Sequence, residues 1–384
     1  MKNTRNRFSF GLISLLILSN FSNVSAQELQ LFGNQERIEL VKRAGNYFYN
    51  MQPDSASAVI DSVRKILPNH PIVPMLEALN IAWTEMPLRT TSKAFGAHMA
   101  ALDRVIESSQ VLQEAYEDHP EGVFFETSAR GIKSEHYARE GSYLKSLGEA
   151  RRMYSLMKTG FDLVEEHSEF LFMTGLYNYF REKYPERHPV YKPFMWVFRS
   201  GDVELGLQQM DSATEVGVLT KIEAHLYIAY VYLRYEENTE KAKFYLENLV
   251  TEYPDNSYFK SKLIECYVTK NEFGLALPLI NGLAKKEDNY YKMCGEVFYG
   301  MYLEKEKLSL NQAQLYYEKG LVSGQDYTLK GLFFRSLAYI GLGRIYEKRQ
   351  NQILARDFYE KAIELNESDA VTKEAKQRLK ALKD

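Results

Sequence analysis

Cysteine and tryptophan are the scarcest residues of this chain, with two of each among 384 residues. Two cysteines cannot provide a disulfide framework for a chain of this length, so its stability must come from a packed core. The sequence also lacks a His-Glu-x-x-His helix, a Cys-x-x-Cys pair, a Gly-x-Ser-x-Gly elbow and a phosphate-binding Gly-Lys-Ser/Thr loop. It therefore predicts no metal, no cofactor and no catalytic residue, and we expect that the protein is not an enzyme.

An excess of basic residues is missing as well. The formal net charge is −3, and without the three basic residues of the N-terminal segment described next it falls to about −6. Proteins that bind nucleic acids usually carry a basic footprint. We therefore expect no nucleic acid partner.

The N-terminal segment is the one part of the sequence with the pattern of a targeting signal. Basic residues at positions 2–7 precede an apolar run at 8–18, which is too short to span a bilayer comfortably. Val24-Ser25-Ala26 supplies small residues for cleavage, which predicts a signal peptide over residues 1–26. An uncleaved anchor helix is the alternative. No cysteine near the cut would carry a lipid, so we expect an exported, periplasmic or secreted protein without a transmembrane segment in its mature chain.

The most regular part of the sequence runs from Tyr339 to Glu367. Its marked positions are a large residue, a Leu-Gly pair, a tyrosine, a small residue and an aromatic residue (Tyr339, Leu342, Gly343, Tyr346, Ala355 and Tyr359). The first four are spaced to fall on one face of a helix. Gly343 and Ala355 are small enough for a second helix to lie close, and Tyr359 fills the space between neighbouring helix pairs.

This pattern resembles that of a tetratricopeptide repeat (TPR). It departs from the family pattern by Tyr for Trp at Tyr339, by Tyr for Phe after Ala355 and by Glu367 in place of Pro. The resemblance implies an all-α fold, a right-handed superhelical solenoid of antiparallel helix pairs. Such solenoids bind other molecules and rarely catalyse reactions.

Weaker copies of the repeat give the chain a predicted order of units. After the signal peptide (1–26) come an N-terminal TPR-like unit (27–70) and a middle of degenerate or elongated helical hairpins (71–218). A regular TPR array (219–367) and a C-terminal capping helix (368–384) follow. Residues Asp326 to Arg335 exceed the repeat length, and we interpret them as an N-terminal extension of the next helix.

A proline-rich insert (185–199) interrupts the middle section. Prolines at positions 185, 189 and 193 predict a break in the helices, because proline is not accommodated in a helix interior. The aromatic residues that follow suit either a wedge packed into the solenoid or a ligand lid or docking element. Tyr191, Phe194 and Trp196 are the candidate residues of a docking insert.

The resemblance also implies where a partner would bind. In the TPR family the first helix of each pair lines the concave face, and residues next to the core positions point into it. Here those places include tyrosines and residues of both charges (Tyr230, Arg234, Tyr258, Glu265, Tyr299, Tyr302 and Arg344). The paired Lys and Asn residues with which some family members hold a C-terminal carboxylate are missing.

Two functions follow from this reading. The first is an exported scaffold that mediates interactions between proteins, with a protein or peptide as its partner. The alternative is a surface or periplasmic binding module for a glycan or another small ligand, since tyrosines can stack on sugars. Sugar platforms favour tryptophan, however, and Trp83 is the only one outside the insert.

Overall fold

The computed structural model describes residues 30–327 and 330–382. These residues form helices joined by short loops, and none of them forms a strand. The predicted signal peptide lies outside the described residues. None of the helices within these ranges combines the length and the apolar character that crossing a membrane requires.

The helices follow one another along the chain, which we number α1 to α17, with one 3-10 helix, η1, between α7 and α8. Their bounds are α1 Gln35–Tyr49, α2 Pro53–Ile66, α3 Ile72–Thr84, α4 Lys93–Ala115, α5 Pro120–Arg139, α6 Tyr143–Leu163, α7 Glu169–Arg187, η1 Pro189–Val197, α8 Val203–Val216, α9 Lys221–Arg234, α10 Thr239–Glu252, α11 Ser257–Thr269, α12 Phe273–Ala284, α13 Asn289–Lys305, α14 Leu310–Ser323, α15 Leu332–Lys348, α16 Gln352–Leu365 and α17 Asp369–Ala381.

The architecture is a right-handed superhelical solenoid of antiparallel helix pairs with a TPR-like fold. Each odd-numbered helix from α1 to α15 packs against the even-numbered helix that follows it, and α17 stands alone at the end. The predicted divisions at 70/71, 218/219 and 367/368 all fall in loops between helices. The grouping of the helices into separate units stays a prediction.

Small residues beneath tyrosine rings hold the last pairs together. A Cβ atom added to Gly343 would lie 2.3 Å from the ring of Tyr359, so only glycine allows α15 and α16 to approach this closely. Gly341 lies in the same way against Tyr317 of the preceding pair. Tyr359 is fully buried and shares a core cluster with Val371 of α17. The packing predicted for this repeat is confirmed.

The proline-rich insert is more helical than its sequence suggests, and the predicted break at Pro185 is wrong. Helix α7 continues through Pro185 to Arg187. Proline lacks an N–H, but it falls in the last turn, and the amide of His188, at the C-cap, still donates to the carbonyl of Tyr184 at 2.9 Å. The residues that follow form η1, with Pro189 at its start, where no helical N–H is required.

The extra sequence before α15 is not a helical extension. Helix α15 begins at Leu332, and the described residues just before it form turns. The amide of Gly331 donates to the carbonyl of Tyr327 at 3.1 Å, which closes one such turn. This loop brings Lys330 to the inside of the solenoid.

The superhelix is wound tightly enough for early pairs to touch later ones. The amide of Asn256 donates to the backbone carbonyl of Tyr49 at 2.9 Å, and the hydroxyl of Tyr291 donates to the carbonyl of Met86 at 2.8 Å. On the opposite side, Arg187 at the end of α7 forms an ion pair with Asp369 of α17 at 2.8 Å. These contacts bridge parts of the concave groove of the prediction, and the space between them is a partly open channel.

Candidate functional site

The channel inside the solenoid is a cavity of about 2120 Å³. Residues from every odd-numbered helix line it, and the even-numbered helices α4, α6 and α10 also contribute. The described residues contribute equal numbers of acidic and basic side chains. The cavity is larger than the roughly 300–1,000 Å³ that a small-molecule site usually needs.

A group of charged residues from α5, α9 and the loop before α15 occupies the middle of the channel. Arg139 forms an ion pair with Glu135, and the hydroxyl of Tyr227 donates to the same carboxylate at 2.8 Å. Burial alone would raise the pKa of Glu135, but Arg139, Tyr227 and Lys330 outweigh it and hold the pKa at about 2. Burial, and then the charge of Arg139, lower the pKa of Lys330 to about 8. Lys330 has no ion-pair partner among the described residues.

A second charged group lies beside the first, on α9 and α11. Arg234 holds Glu265 with two hydrogen bonds, one of them 2.8 Å between Nη2 and Oε2. Its guanidinium also lies 4.5 Å above the ring of Phe333. Burial acts to raise the pKa of Glu265, but Arg234 outweighs it and keeps the pKa below its usual value. Lys262 approaches this carboxylate only to 4.0 Å, so its ammonium keeps free donors.

Glu223 has a buried carboxyl oxygen and no ion-pair partner among the described residues. The hydroxyl of Tyr49, from α1, donates to its Oε1 atom. Its Oε2 atom is buried and has no hydrogen-bond partner among the described residues. Burial raises the pKa of Glu223 to about 7, because the charged form loses its hydration there.

The channel lining contains five of the seven residues predicted for the concave face: Tyr230, Arg234, Tyr258, Glu265 and Arg344. Tyr230 keeps 44% of its surface exposed, which makes it the most accessible aromatic residue of this set. Arg344 is buried, and its guanidinium is held by Glu304 at 2.7 Å and by Glu374 at 3.2 Å. Because these two carboxylates occupy its donors, Arg344 has a structural role in the wall.

The predicted position of Tyr299 and Tyr302 on the concave face is wrong. Neither residue lines the channel. The ring of Tyr299 packs on Tyr316 of α14 with centroids 4.6 Å apart, and Tyr302 packs on Phe273 of α12 at 5.9 Å. Both therefore face second helices. On α13 the channel is lined instead by residues that include Phe298 and Met301, one position before each predicted tyrosine.

The three residues of the proline-rich insert have three different environments. Tyr191 is buried, lines the channel and contacts Tyr143 edge to face at 5.8 Å. Phe194 is partly buried. Trp196 leaves 83% of its surface exposed on the outside of the molecule. The insert thus acts as a wedge at Tyr191 and leaves its tryptophan free.

Several channel residues are absent from the prediction. The residues that line the channel but were not predicted include Glu135, Arg139, Tyr227, Lys262 and Lys330. Two of them carried a usable signal, since Tyr227 lies three residues before Tyr230 and Lys262 four residues after Tyr258, which places each on the same helix face. Glu135 and Arg139 lie in the middle section, where the repeat register could not be assigned.

Comparisons with known proteins found matches among solved structures and in neither of the two other searches. No family model matches this chain, and no curated protein matches it. Solved structures with similar helix arrangements include the human IFIT1 dimer with PPP-AAAA, at 14% identity over 89% of this chain and 96% of that one, with a TM-score of 0.37. Yeast Tom70 matches at 12% identity over 91% and 96%, with a TM-score of 0.29. The TPR domain of P58(IPK) matches at 15% identity over 90% and 98%, with a TM-score of 0.25.

Proposed function

We propose that this protein is a non-catalytic scaffold that holds an extended segment of a partner protein inside its channel. The observation that carries the proposal is the polar middle of the channel, where Tyr230, Lys262 and Lys330 offer surface and donors that the fold leaves uncommitted. Tyrosine is one of the residues that dominate the energetics of protein interfaces, and each lysine ammonium can donate up to three hydrogen bonds.

The shape of the channel favours a segment over a folded domain. The contacts of Asn256 with Tyr49 and of Arg187 with Asp369 join turns of the superhelix, and a folded domain would have to separate them to lie along the whole channel. An extended or helical segment fits between the turns, and its backbone can pair with the polar residues of the wall. A balanced set of charges suits a mixed peptide sequence better than a polyanion.

The setting that we propose is outside the cytoplasm, in the periplasm or the extracellular space. The proposal rests on the basic start, apolar run and small residues of positions 1–26. Sequencing of the N-terminus of the mature protein tests it, with Gln27 as the expected first residue. A soluble protein that retains Met1 would contradict it.

A glycan is the alternative occupant, and the environment of Trp83 argues against a tryptophan platform for it in the channel. Trp83 lies edge-on to Tyr49 and Phe259, with ring centroids 5.1 Å away in each case, and only 4% of its surface is exposed. Its faces are therefore covered, and a sugar platform would depend on Tyr230. Binding of soluble oligosaccharides that requires Tyr230 would replace a protein partner with a glycan.

The experiment compares two tyrosines that both lie on first helices, one lining the channel and the other packed outside it. Tyr230→Ser removes a half-exposed side chain from the channel, whereas Tyr299→Ser removes one that packs against Tyr316 outside it. We expect Tyr230→Ser to reduce recovery of the partner from envelope extract at least tenfold, with a melting temperature close to that of the parent protein. Tyr299→Ser should lower the melting temperature and leave recovery intact.

Two outcomes would contradict the proposal. Equal recovery by the parent and by Tyr230→Ser would place the partner outside the channel. A large loss of stability in Tyr230→Ser would show that this residue belongs to the core. A combined Lys262→Gln and Lys330→Gln variant separates these cases, because it changes charge in the channel without removing packed rings.

A further inference from the structure

The outer surface beside the proline-rich insert combines exposed apolar tips with basic residues. The insert lies along α6 over several turns. Near its start the hydroxyl of Tyr191 lies 3.3 Å from Ser146, and near its end the amide of Arg199 donates to the hydroxyl of Tyr154 at 2.9 Å. The guanidinium of Arg199 then covers the ring of Phe161 at 4.2 Å. Helix α6 and the insert therefore present one joint outer surface, away from the channel.

Apolar side chains project from this surface. Trp196 of η1 is 83% exposed, and Leu144 in the first turn of α6 is 80% exposed. Val190 adds a third apolar side chain at 46% exposure. Large apolar residues exposed to this extent cost free energy in water and often mark a surface that another phase or molecule covers.

Basic residues surround these apolar tips. Between Tyr143 and Gly160, helix α6 has Glu149 as its only acidic residue, and that carboxylate is buried against Arg130 at 2.8 Å. Residues 189–201 contain no acidic residue. The exposed members of the basic–apolar face are then Leu144, Arg151, Lys158, Val190, Lys192 and Trp196. Acidic groups lie at its borders, where Glu182 accepts from the amide of Gly201 and Asp118 accepts from Thr159.

We propose that the basic–apolar face docks on an anionic phospholipid surface, with Trp196 and Leu144 inserted among the headgroups. Tryptophan is suited to the membrane interface because its ring is apolar and its N–H is polar. Lysine and arginine around it are attracted to anionic headgroups and can reach them with their long side chains.

A bilayer fits these residues better than the two other polyanionic partners. Leucine and valine cannot stack on bases, so an RNA would leave Leu144 and Val190 in water. An acidic protein would need pockets shaped to receive two protruding side chains. A bilayer receives projecting apolar side chains without complementary shape, and its anionic headgroups match the surrounding lysines and arginines.

The test measures binding of residues 27–384 to vesicles, because the apolar run of the first segment would itself bind lipid. Vesicles of phosphatidylcholine with a quarter phosphatidylglycerol are compared with vesicles of phosphatidylcholine alone, by flotation and by tryptophan fluorescence. Since Trp83 is buried and Trp196 exposed, a blue shift of the emission reports insertion of Trp196. We expect binding to the anionic vesicles together with a blue shift.

Variants assign the binding to this face. Trp196→Ser and Leu144→Ser should each weaken binding about tenfold, and Trp196→Phe should remove the blue shift while keeping most of the affinity. Each of Arg151→Gln and Lys192→Gln should weaken binding about fivefold, the loss of one basic residue near an anionic surface. The controls are Ile353→Ser, an 81% exposed apolar residue on α16, and Lys348→Gln, an exposed basic residue on α15, and neither should change binding.

Four results would overturn the proposal. The first is an absence of binding to anionic vesicles at low salt. The second is binding that the variants of this face do not weaken. The third is binding without any change in the emission of Trp196, which would mean a purely electrostatic contact. The fourth is binding of a single-stranded RNA oligonucleotide through the same residues when vesicles are not bound.

Discussion

Helices α4 to α6 and the pair α15–α16 solve the same packing problem with different chemistry. In α15–α16, glycines lie beneath tyrosine rings, as Gly343 does under Tyr359. In α4–α6, a buried ion network joins three helices. Arg130 holds Glu126 at 2.6 Å and Glu149 at 2.8 Å, while Gln113 of α4 donates to Glu126 at 2.8 Å. The second arrangement leaves no short repeat pattern in the sequence.

The difference teaches how the two regions respond to change. A glycine–tyrosine contact fails through excess volume, because its two surfaces already touch. An ion network is destabilised when one charge loses its partner, because the loss of hydration of each buried carboxylate is offset by its interaction with Arg130. The regular end of the chain should therefore be sensitive to added atoms, and the middle to removed charges.

The largest effect is expected from Arg130→Met. This change leaves the buried carboxylate of Glu126 without a cation and leaves Glu149 only the exposed Arg152 at 3.5 Å, and it should lower the free energy of unfolding by about 3–5 kcal/mol. Chemical denaturation measures it. A triple variant that adds Glu126→Gln and Glu149→Gln removes the orphaned charges and should recover part of the loss. If the single and triple variants were equally unstable, packing of the arginine stem and not charge would hold this region.

Glu223 sharpens the comparison, because this carboxyl group of the regular array accepts from the phenol of Tyr49 and has no ion-pair partner in the described part of the chain. Its pKa of about 7 lies above the usual 4.5, so the folded protein binds a proton that the unfolded chain has lost between these pH values. Stability from this group is present at low pH and lost as the pH rises to 7, by about 3 kcal/mol in all.

Glu223→Gln should consequently be more stable than the parent protein at pH 8 and equally stable at pH 4. Denaturation at a series of pH values measures the difference in the free energy of unfolding between the two proteins. The contributions of the histidines cancel in this difference, because both proteins contain them. The glutamine carbonyl still accepts from Tyr49, so the contact between α1 and α9 is kept. A difference that stays constant from pH 4 to pH 8 would mean that Glu223 does not titrate in this range.

The same comparison explains how far the sequence predicts the fold and the site. The best copy of the repeat predicted its helices and the contact of Gly343 with Tyr359, because periodic small and aromatic residues report close helix packing directly. The helical class of the middle section also followed from apolar periodicity. The structure of the insert could not be predicted. Proline costs little at the start of a helix, and the sequence alone does not show which helical position each proline occupies.

The channel was less predictable than the fold. Tyr230 and Arg234 could be placed because a register was available for α9. The register failed at Tyr299, because the residues of α13 that line the channel include Phe298 and Met301, one position before each predicted tyrosine. The contacts that bridge the channel could not be predicted either, because pairs such as Asn256 and Tyr49 lie more than 200 positions apart and meet through individual hydrogen bonds. No local pattern encodes such a contact.

The smallest effects are expected from a pair of glycine substitutions with opposite signs. A Cβ atom at Gly343 would lie 2.3 Å from the ring of Tyr359, whereas one at Gly148, in the interior of α6, would have nothing within 4 Å. Gly343→Ala should lower the free energy of unfolding by about 1–3 kcal/mol through overpacking. Gly148→Ala should raise it by about 0.5–1 kcal/mol, because alanine loses less backbone freedom than glycine when a helix forms. Thermal and urea denaturation of the two variants side by side measure both, and a gain in stability for Gly343→Ala would mean that close contact with Tyr359 does not hold α15 and α16 together.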